Sequence, residues 1–122
     1  MTLLGWRLIR LPQINPKEVW KAWVAYEDNP DEGKVRPVLV LDVDGKYARV
    51  LSVPITSTDP RDEYDIEVFD WADIPLDHES TARASKTIDI PMNDFYSKIG
   101  KVSDDDWDNI TDLYGEYLKS NS

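Results

Sequence analysis

The chain contains no cysteine and only one histidine. Without cysteine it can form no disulfide framework, no thiolate metal site and no cysteine nucleophile. A single histidine excludes a histidine-rich metal site. The longest apolar runs are far too short to span a bilayer. The opening MTLLGWRLIR lacks a clean apolar core followed by a small-residue cleavage site, so we expect no signal peptide and a cytoplasmic location.

Positive charge is also scarce. Lysine and arginine number 14 against 24 aspartates and glutamates, which gives a formal net charge of −10. Nucleic-acid binders usually carry a basic patch, because phosphate contacts supply much of their affinity. A nucleic-acid function therefore requires a local basic groove on an acidic chain; otherwise the acidity serves only solubility. The length of 122 residues and five tryptophans predict one domain with one core, over residues 1–122.

The stretch that organises the chain is KVRPVLVLDVDGKYARVLSVPITST, residues 34–58. Its apolar run Val38–Leu41 is typical of a strand buried on both faces. Asp44-Gly45 separates this run from a second one, formed by Tyr47 and residues 50–53. This pattern predicts a hairpin, because glycine adopts positive φ without steric cost. Polar side chains lie where the strands begin and end, and such strand rims often carry functional groups.

The remaining elements follow from local patterns. Residues 19–26 alternate so that Trp20, Ala22, Val24 and Tyr26 form an apolar, buried strand face. Further strands are predicted over residues 65–69 and 80–90. Ser103 and the three aspartates after it predict a helix N-terminus, since carboxylates favour the positive end of the helix dipole. We interpret Asp104–Asp106 as capping residues and not as a metal site.

Three segments, in the same order, resemble the MazF/PemK (Kid-like) toxins of bacterial toxin–antitoxin pairs. They are K-x-RPVLVL with the later VPITS, Ser85–Asp89 with Lys86 in place of the family's arginine, and Ile99–Ser103. The resemblance runs from about Lys17 to the C-terminus. It implies a mainly β protein, with a small SH3-like β-barrel of the MazF/CcdB type and a C-terminal α-helix. It also implies a homodimer that cuts single-stranded RNA (mRNA) sequence-specifically without metal or cofactor, and that a cognate antitoxin neutralises.

Residues 1–16 precede the region of resemblance, so we interpret them as an N-terminal extension. The apolar residues between Met1 and Leu11 fit a strand in part and a helical face in part, and both remain open. We expect this extension to cover a sheet edge or to pack on the core.

The resemblance also points to site residues. Arg36 and Thr56 match the family's strongest functional positions and are the predicted catalytic residues. An arginine stabilises the charge that grows on phosphate oxygens in the transition state, and a hydroxyl adds a hydrogen bond. From the residues alone, Arg36 would be a surface charge before Pro37, which holds it extended. The predicted RNA-binding residues are Ser57, Arg83, Ser85 and Lys86.

Several features have two interpretations. Thr81, Arg83, Ser85 and Thr87 would share one strand side, which either faces phosphate or faces solvent. Arg83 stands roughly where the family has an acidic residue, and Thr81 where it has an arginine. The loop of residues 27–33 holds four carboxylates; it corresponds to a family loop over the RNA groove, or it is simply solvated.

The general base is left open. His78 lies beside Glu79, and a histidine can act as a base near neutral pH. Because no other residue nearby completes a triad, we interpret it as a surface loop residue. Two other functions stay possible for the whole chain: a CcdB-like toxin-fold protein that binds a protein target, and a catalytically weakened member of the family.

Overall fold

The computed structural model describes residues 13–121, so the predicted packing of residues 1–11 lies outside the described residues. Within that range the chain forms seven strands, two short 3₁₀ turns and one α-helix. The strands are β1 Glu18–Ala25, β2 Gly33–Asp44, β3 Arg49–Thr56, β4 Asp65–Val68, β5 Ser80–Arg83, β6 Ile88–Pro91 and β7 Phe95–Lys101. The turns span Trp71–Asp73 and Met92–Asp94, and the helix α1 spans Asp104–Ser120.

The strands form one antiparallel sheet in the order β4-β5-β3-β2-β1-β7. The long strand β3 is shared, because its first half pairs with β6 and its last two residues pair with β5. The prediction of a mainly β fold with a C-terminal helix is confirmed. The sheet is not closed: β4 and β7 stand at the two ends of the strand order, so the predicted barrel is an open one.

The sheet buries apolar side chains on both faces. Val38 and Val40 of β2 belong to one cluster with Trp20 and Phe95. Leu39, between them, belongs to a second cluster that includes Ile110 of the helix. The first three residues of the run Val38–Leu41 are fully buried, which confirms the predicted strand with two buried faces. On β1 the predicted buried face is correct for Trp20, Ala22 and Val24, whereas Tyr26 lies beyond the strand and is exposed.

The helix begins as the sequence predicts. The Ser103 side chain accepts a hydrogen bond from the Asp106 backbone N–H at 3.1 Å, so Ser103 is the N-cap. Asp106 itself is almost fully buried. Its two carboxylate oxygens accept backbone hydrogen bonds from Phe69 at 3.0 Å and Asp70 at 2.9 Å. The carboxylate therefore fastens the helix to the segment that follows β4.

The β2–β3 hairpin forms, but not by the predicted means. Its connection has four residues, and Ala48 rather than Gly45 adopts a positive φ, of 53°. The Asp44 side chain accepts hydrogen bonds from the backbone N–H groups of Lys46 and Tyr47 at 3.0 and 3.3 Å. Asp44 thus organises the turn, as aspartate commonly does. Tyr47 is exposed and lies outside the strand, so its predicted place in the second apolar run is wrong.

The predicted single strand over residues 80–90 is wrong. It divides into β5 and β6, with a turn closed by a hydrogen bond from the Lys86 N–H to the Arg83 carbonyl at 3.1 Å. The turn ends the alternation, so Thr81, Arg83, Ser85 and Thr87 do not form one row. Thr81 is also buried. The small residues Ala82, Ala84 and Ser85 carried no turn signal strong enough to override the strand pattern.

Candidate functional site

A cleft of about 540 Å³ opens where the start of β2 meets the end of β3. This volume lies within the ordinary range for ligand-binding sites. Five elements wall it: β1, the start of β2, the end of β3, the segment before β5, and β7. The lining residues are Lys21, Lys34, Val35, Arg36, Pro37, Ile55, Thr56, Ser57, Pro75, Leu76, Asp77, His78, Ser80, Ser97, Lys98 and Ile99. Lys34 to Pro37 are consecutive, so both faces of the start of β2 border the cleft.

The strand register brings Arg36 and Thr56 together. Val38 of β2 pairs with Pro54 of β3. Two residues further along these antiparallel strands lie Arg36 and Thr56, which therefore share one face of the sheet. The Thr56 hydroxyl accepts a hydrogen bond from the Thr58 N–H at 3.2 Å and contacts the Thr58 hydroxyl at 3.3 Å. Both predicted catalytic residues, and the predicted RNA contact Ser57, border the same cleft.

Arg36 carries an unmet hydrogen-bonding group. Its Nε atom is the only buried side-chain nitrogen or oxygen among residues 13–121 that lacks a hydrogen-bond partner. A buried donor without a partner costs about 1–3 kcal/mol, so such groups are rare and mark strain or function.

The cleft also concentrates positive charge that is not neutralised. Elsewhere in the described chain Lys17, Arg49, Arg61 and Arg83 lie within 4.0 Å of a carboxylate. Among residues 13–121, Lys46, Lys86 and Lys101 do not, but none of these three borders the cleft. Within the same described range, Lys21, Lys34 and Arg36 have no carboxylate at that distance. Three uncompensated cations thus border one cleft of a chain whose net charge is −10. This arrangement attracts an anion and has no need of a basic protein as a whole.

The fourth cation of the cleft, Lys98, is paired with a carboxylate. Its Nζ atom lies 3.0 Å from the Glu18 carboxylate, which is itself buried. Glu18 also accepts hydrogen bonds from the Trp20 indole and the Asn15 backbone N–H, each at 2.9 Å. Burial raises the pKa of Glu18, but the hydrogen bonds from Trp20, Lys98 and Asn15 outweigh it, so its pKa lies below the ordinary value of 4.5.

This lowered pKa predicts a pH-dependent loss of stability. A carboxyl group whose pKa is lower when folded stabilises the fold above its unfolded pKa, here about 4.5, and the benefit is lost as the pH falls through the folded pKa. Glu18→Gln should therefore reduce the free energy of unfolding most at neutral pH and least in acid. Urea unfolding of both proteins from pH 7 to pH 3 measures this, and a constant difference across that range would contradict it.

The wall opposite β2 is a short segment held at two points. Ile74 and Leu76 are buried in the cluster that lies under the helix. The Ile74 carbonyl lies against Gly100 of β7, where an added Cβ would overlap it. At the other end of the segment, the Ser80 hydroxyl donates a hydrogen bond to the His78 carbonyl at 2.9 Å. Asp77 and His78 are thus exposed residues of an anchored segment, and both border the cleft.

The other predicted RNA-binding residues are not in the cleft. Arg83 donates hydrogen bonds to Asp65 at 2.9 Å and to Asp62 at 3.4 Å, so it neutralises carboxylates, one of them buried. Ser85 and Lys86 lie in the turn between β5 and β6. The structure therefore brings Arg36, Thr56 and Ser57 together and leaves Arg83, Ser85 and Lys86 apart from them.

Sequence reasoning missed Lys21, Lys98 and the position of His78. Lys21 had a signal, since it is a lone charge within the apolar strand VWKAWVAY. Lys98 and His78 reach the cleft only through tertiary packing. The acidic loop before β2 is exposed at residues 27–32, and none of them borders the cleft. Residues 13–121 contain no group of three or more His, Asp or Glu side chains placed to hold a metal ion, and no helix among them is long and apolar enough to cross a membrane.

The fold is that of the MazF-type toxins. It is similar to an endoribonuclease in complex with its cognate antitoxin from a mycobacterial species, with a TM-score of 0.69, 14% identity, and coverage of 88% of this chain and 96% of the other. It is similar to the Mycobacterium tuberculosis toxin MazF-mt6, with a TM-score of 0.68, 23% identity, and coverage of 84% and 96%. It is also similar to MazF from Deinococcus radiodurans, with a TM-score of 0.67, 16% identity, and coverage of 90% of this chain and 98% of the other.

The sequence identifies the family as well. Residues 15–114 match the model of the PemK-like, MazF-like toxins of type II toxin–antitoxin systems. The chain belongs to this family, which confirms the resemblance that the RPVLVL and VPITS segments indicated. No protein of curated function matches the chain.

Proposed function

We propose that this protein is a toxin of a type II toxin–antitoxin system that cuts single-stranded RNA at specific sequences, without a metal ion. The observation that carries the proposal is the set of three uncompensated cations, Lys21, Lys34 and Arg36, which border one cleft together with Thr56. A phosphodiester is the anion that suits this set, because guanidinium forks and hydroxyls match phosphate oxygens. The family to which the chain belongs supports the same assignment.

The reaction needs little from the protein. RNA carries its own nucleophile, the 2′-hydroxyl, which attacks the adjacent phosphorus and leaves a 2′,3′-cyclic phosphate. Negative charge grows on the phosphate oxygens during this attack, and preorganised donors stabilise it. Arg36 is the proposed donor for these oxygens, because it borders the cleft and its guanidinium has no carboxylate of the described chain within 4.0 Å. The Thr56 hydroxyl adds a weaker bond, while Lys21, Lys34 and Ser57 hold the flanking phosphates.

The proposed partners follow from the family and the similar structures. One similar structure is an endoribonuclease bound to its cognate antitoxin, and another is a MazE–MazF assembly from Deinococcus radiodurans. We propose that a cognate antitoxin neutralises this protein in the cytoplasm. We also propose a homodimer, in which a two-fold axis would place two clefts symmetrically. RNA contacts by Arg83, Ser85 and Lys86 remain a prediction that the position of the cleft does not support.

The test is direct. Purified protein is incubated with a pool of single-stranded RNA in EDTA, and the products are analysed for sequence and for end groups. We expect cuts at a restricted sequence and 2′,3′-cyclic phosphate ends, while the same RNA annealed to its complement stays intact. If no sequence in a randomised pool is cut, the endoribonuclease assignment is wrong, and the alternative of a CcdB-like protein that binds a protein target replaces it.

A further inference from the structure

We infer that His78 is the general base that removes the proton from the attacking 2′-hydroxyl; this inference rests on the proposed RNA cleavage. His78 is the only histidine of the chain. It reaches the cleft because the segment before β5 is anchored by Ile74 and Leu76 on one side and by the Ser80 hydroxyl on the other. The fold therefore brings it to the cleft that Arg36 and Thr56 also border.

The imidazole is free to accept a proton. Among residues 13–121, no side chain forms a hydrogen bond or an ion pair with the His78 ring, and the residue is exposed. Its backbone is fixed, since the carbonyl accepts the hydrogen bond from Ser80. A base in this position has a defined place and an unoccupied acceptor.

The other groups that border the cleft are less suited to this role. Lys21 on β1, Lys34 and Arg36 on β2, and Lys98 on β7 are cations, and a cation cannot accept a proton. Asp77, on the same segment as His78, is the other titratable acceptor among the lining residues. Catalysis by a base is most effective when the base titrates near the working pH, and imidazole is the side chain that ordinarily does so. His78 therefore fits the role better than Asp77.

The step balances without a further reagent. A ring nitrogen of His78 takes the proton of the 2′-hydroxyl while the 2′-oxygen forms a bond to phosphorus. The bond between phosphorus and the 5′-oxygen then breaks, and the departing oxygen takes a proton from water. The imidazolium returns its proton to the solvent, which restores the enzyme.

The experiment measures single-turnover cleavage of an RNA that the wild-type protein cuts. His78→Ala should lower the rate by about 10²–10⁴-fold, the usual contribution of general acid–base catalysis. Added imidazole should restore part of it, in proportion to the neutral form of the reagent. Asp77→Asn, which changes the other acceptor of the same segment, should lose less of the rate than His78→Ala. The wild-type rate should also rise with pH through the range where imidazole loses its proton, and His78→Ala should lack this rise.

Each result decides the matter. If the wild-type protein cuts and His78→Ala cuts within twofold of it, His78 is not the base, although the proposed function stands. A loss that imidazole does not restore, with the pH profile unchanged, would make His78 a binding contact and overturn the inference. If Asp77→Asn causes the larger loss, the carboxylate is the base. If the wild-type protein cuts no RNA, the proposed function itself is wrong, and the inference falls with it.

Discussion

Replacing Arg36 by alanine should lower the rate of RNA cleavage by about a hundredfold or more, the usual result of removing a donor that stabilises transition-state charge. The fold should survive, because the buried Nε atom of Arg36 has no hydrogen bond to lose. Arg36→Lys keeps the charge but not the planar fork of donors, so its rate should lie between that of the wild-type protein and that of Arg36→Ala. Thr56→Ala should cost less than Arg36→Ala, since a neutral hydroxyl forms a weaker bond than a guanidinium.

A matched control separates the cleft from the rest of the surface. Lys86→Ala also removes one positive charge, but from the exposed turn between β5 and β6, outside the cleft. It should cut at nearly the wild-type rate. Single-turnover rates and thermal unfolding of the four variants make the comparison. A loss in Lys86→Ala as large as that in Arg36→Ala would place the reaction at the β5–β6 turn and contradict the site proposed here.

The second large effect is expected at Asp106. Asp106→Ala leaves the Phe69 and Asp70 N–H groups without their acceptor, and each unsatisfied donor costs about 1–3 kcal/mol when buried. Since both donors are only partly buried, we expect a loss of roughly 2 kcal/mol or more in the free energy of unfolding. Asp106→Asn keeps one carbonyl acceptor and should lose less. Urea unfolding at neutral pH measures all of these values.

The neighbouring aspartate provides the control. Asp105 occupies the same first turn of the helix and is exposed. Its contribution is limited to the helix dipole, which stabilises such a charge by about 0.3–1 kcal/mol. Asp105→Ala should therefore be the milder substitution. Equal losses in the two alanine variants would mean that Asp106 acts only through the dipole, and that its hydrogen bonds to the segment after β4 contribute nothing.

Much of the fold could be predicted because its signals are local. The run Val38–Leu41 has too many consecutive apolar residues for a one-sided strand, and the structure buries it on both faces. Ser103 followed by carboxylates is a cap pattern that needs no tertiary context. The division of residues 80–90 into two strands had no such signal. The division follows from pairing with β3, because the first half of β3 pairs with β6 and its last two residues pair with β5.

The same distinction explains the site. Arg36 and Thr56 could be predicted as members of the candidate site because a family motif marks both of them. Lys98 and His78 carry no motif and reach the cleft only through packing, the first by its bond to buried Glu18 and the second by the anchored segment. Arg83 was predicted to contact phosphate because arginine commonly does so. In the structure it is paired with Asp65, which is buried and lies eighteen residues earlier in the chain. Pairings of this kind cannot be read from one strand.

If RNA is the substrate, as proposed, the placement of three uncompensated cations in an acidic chain also governs how an RNA strand approaches the protein. At about 0.01 M ionic strength the Debye length is ~30 Å, so a distant strand responds to the net charge of −10 and is repelled. At about 0.15 M it is ~8 Å, and a strand near the opening responds mainly to Lys21, Lys34 and Arg36. Moderate salt should therefore speed the encounter with this protein, whereas it slows the encounter with a basic nuclease.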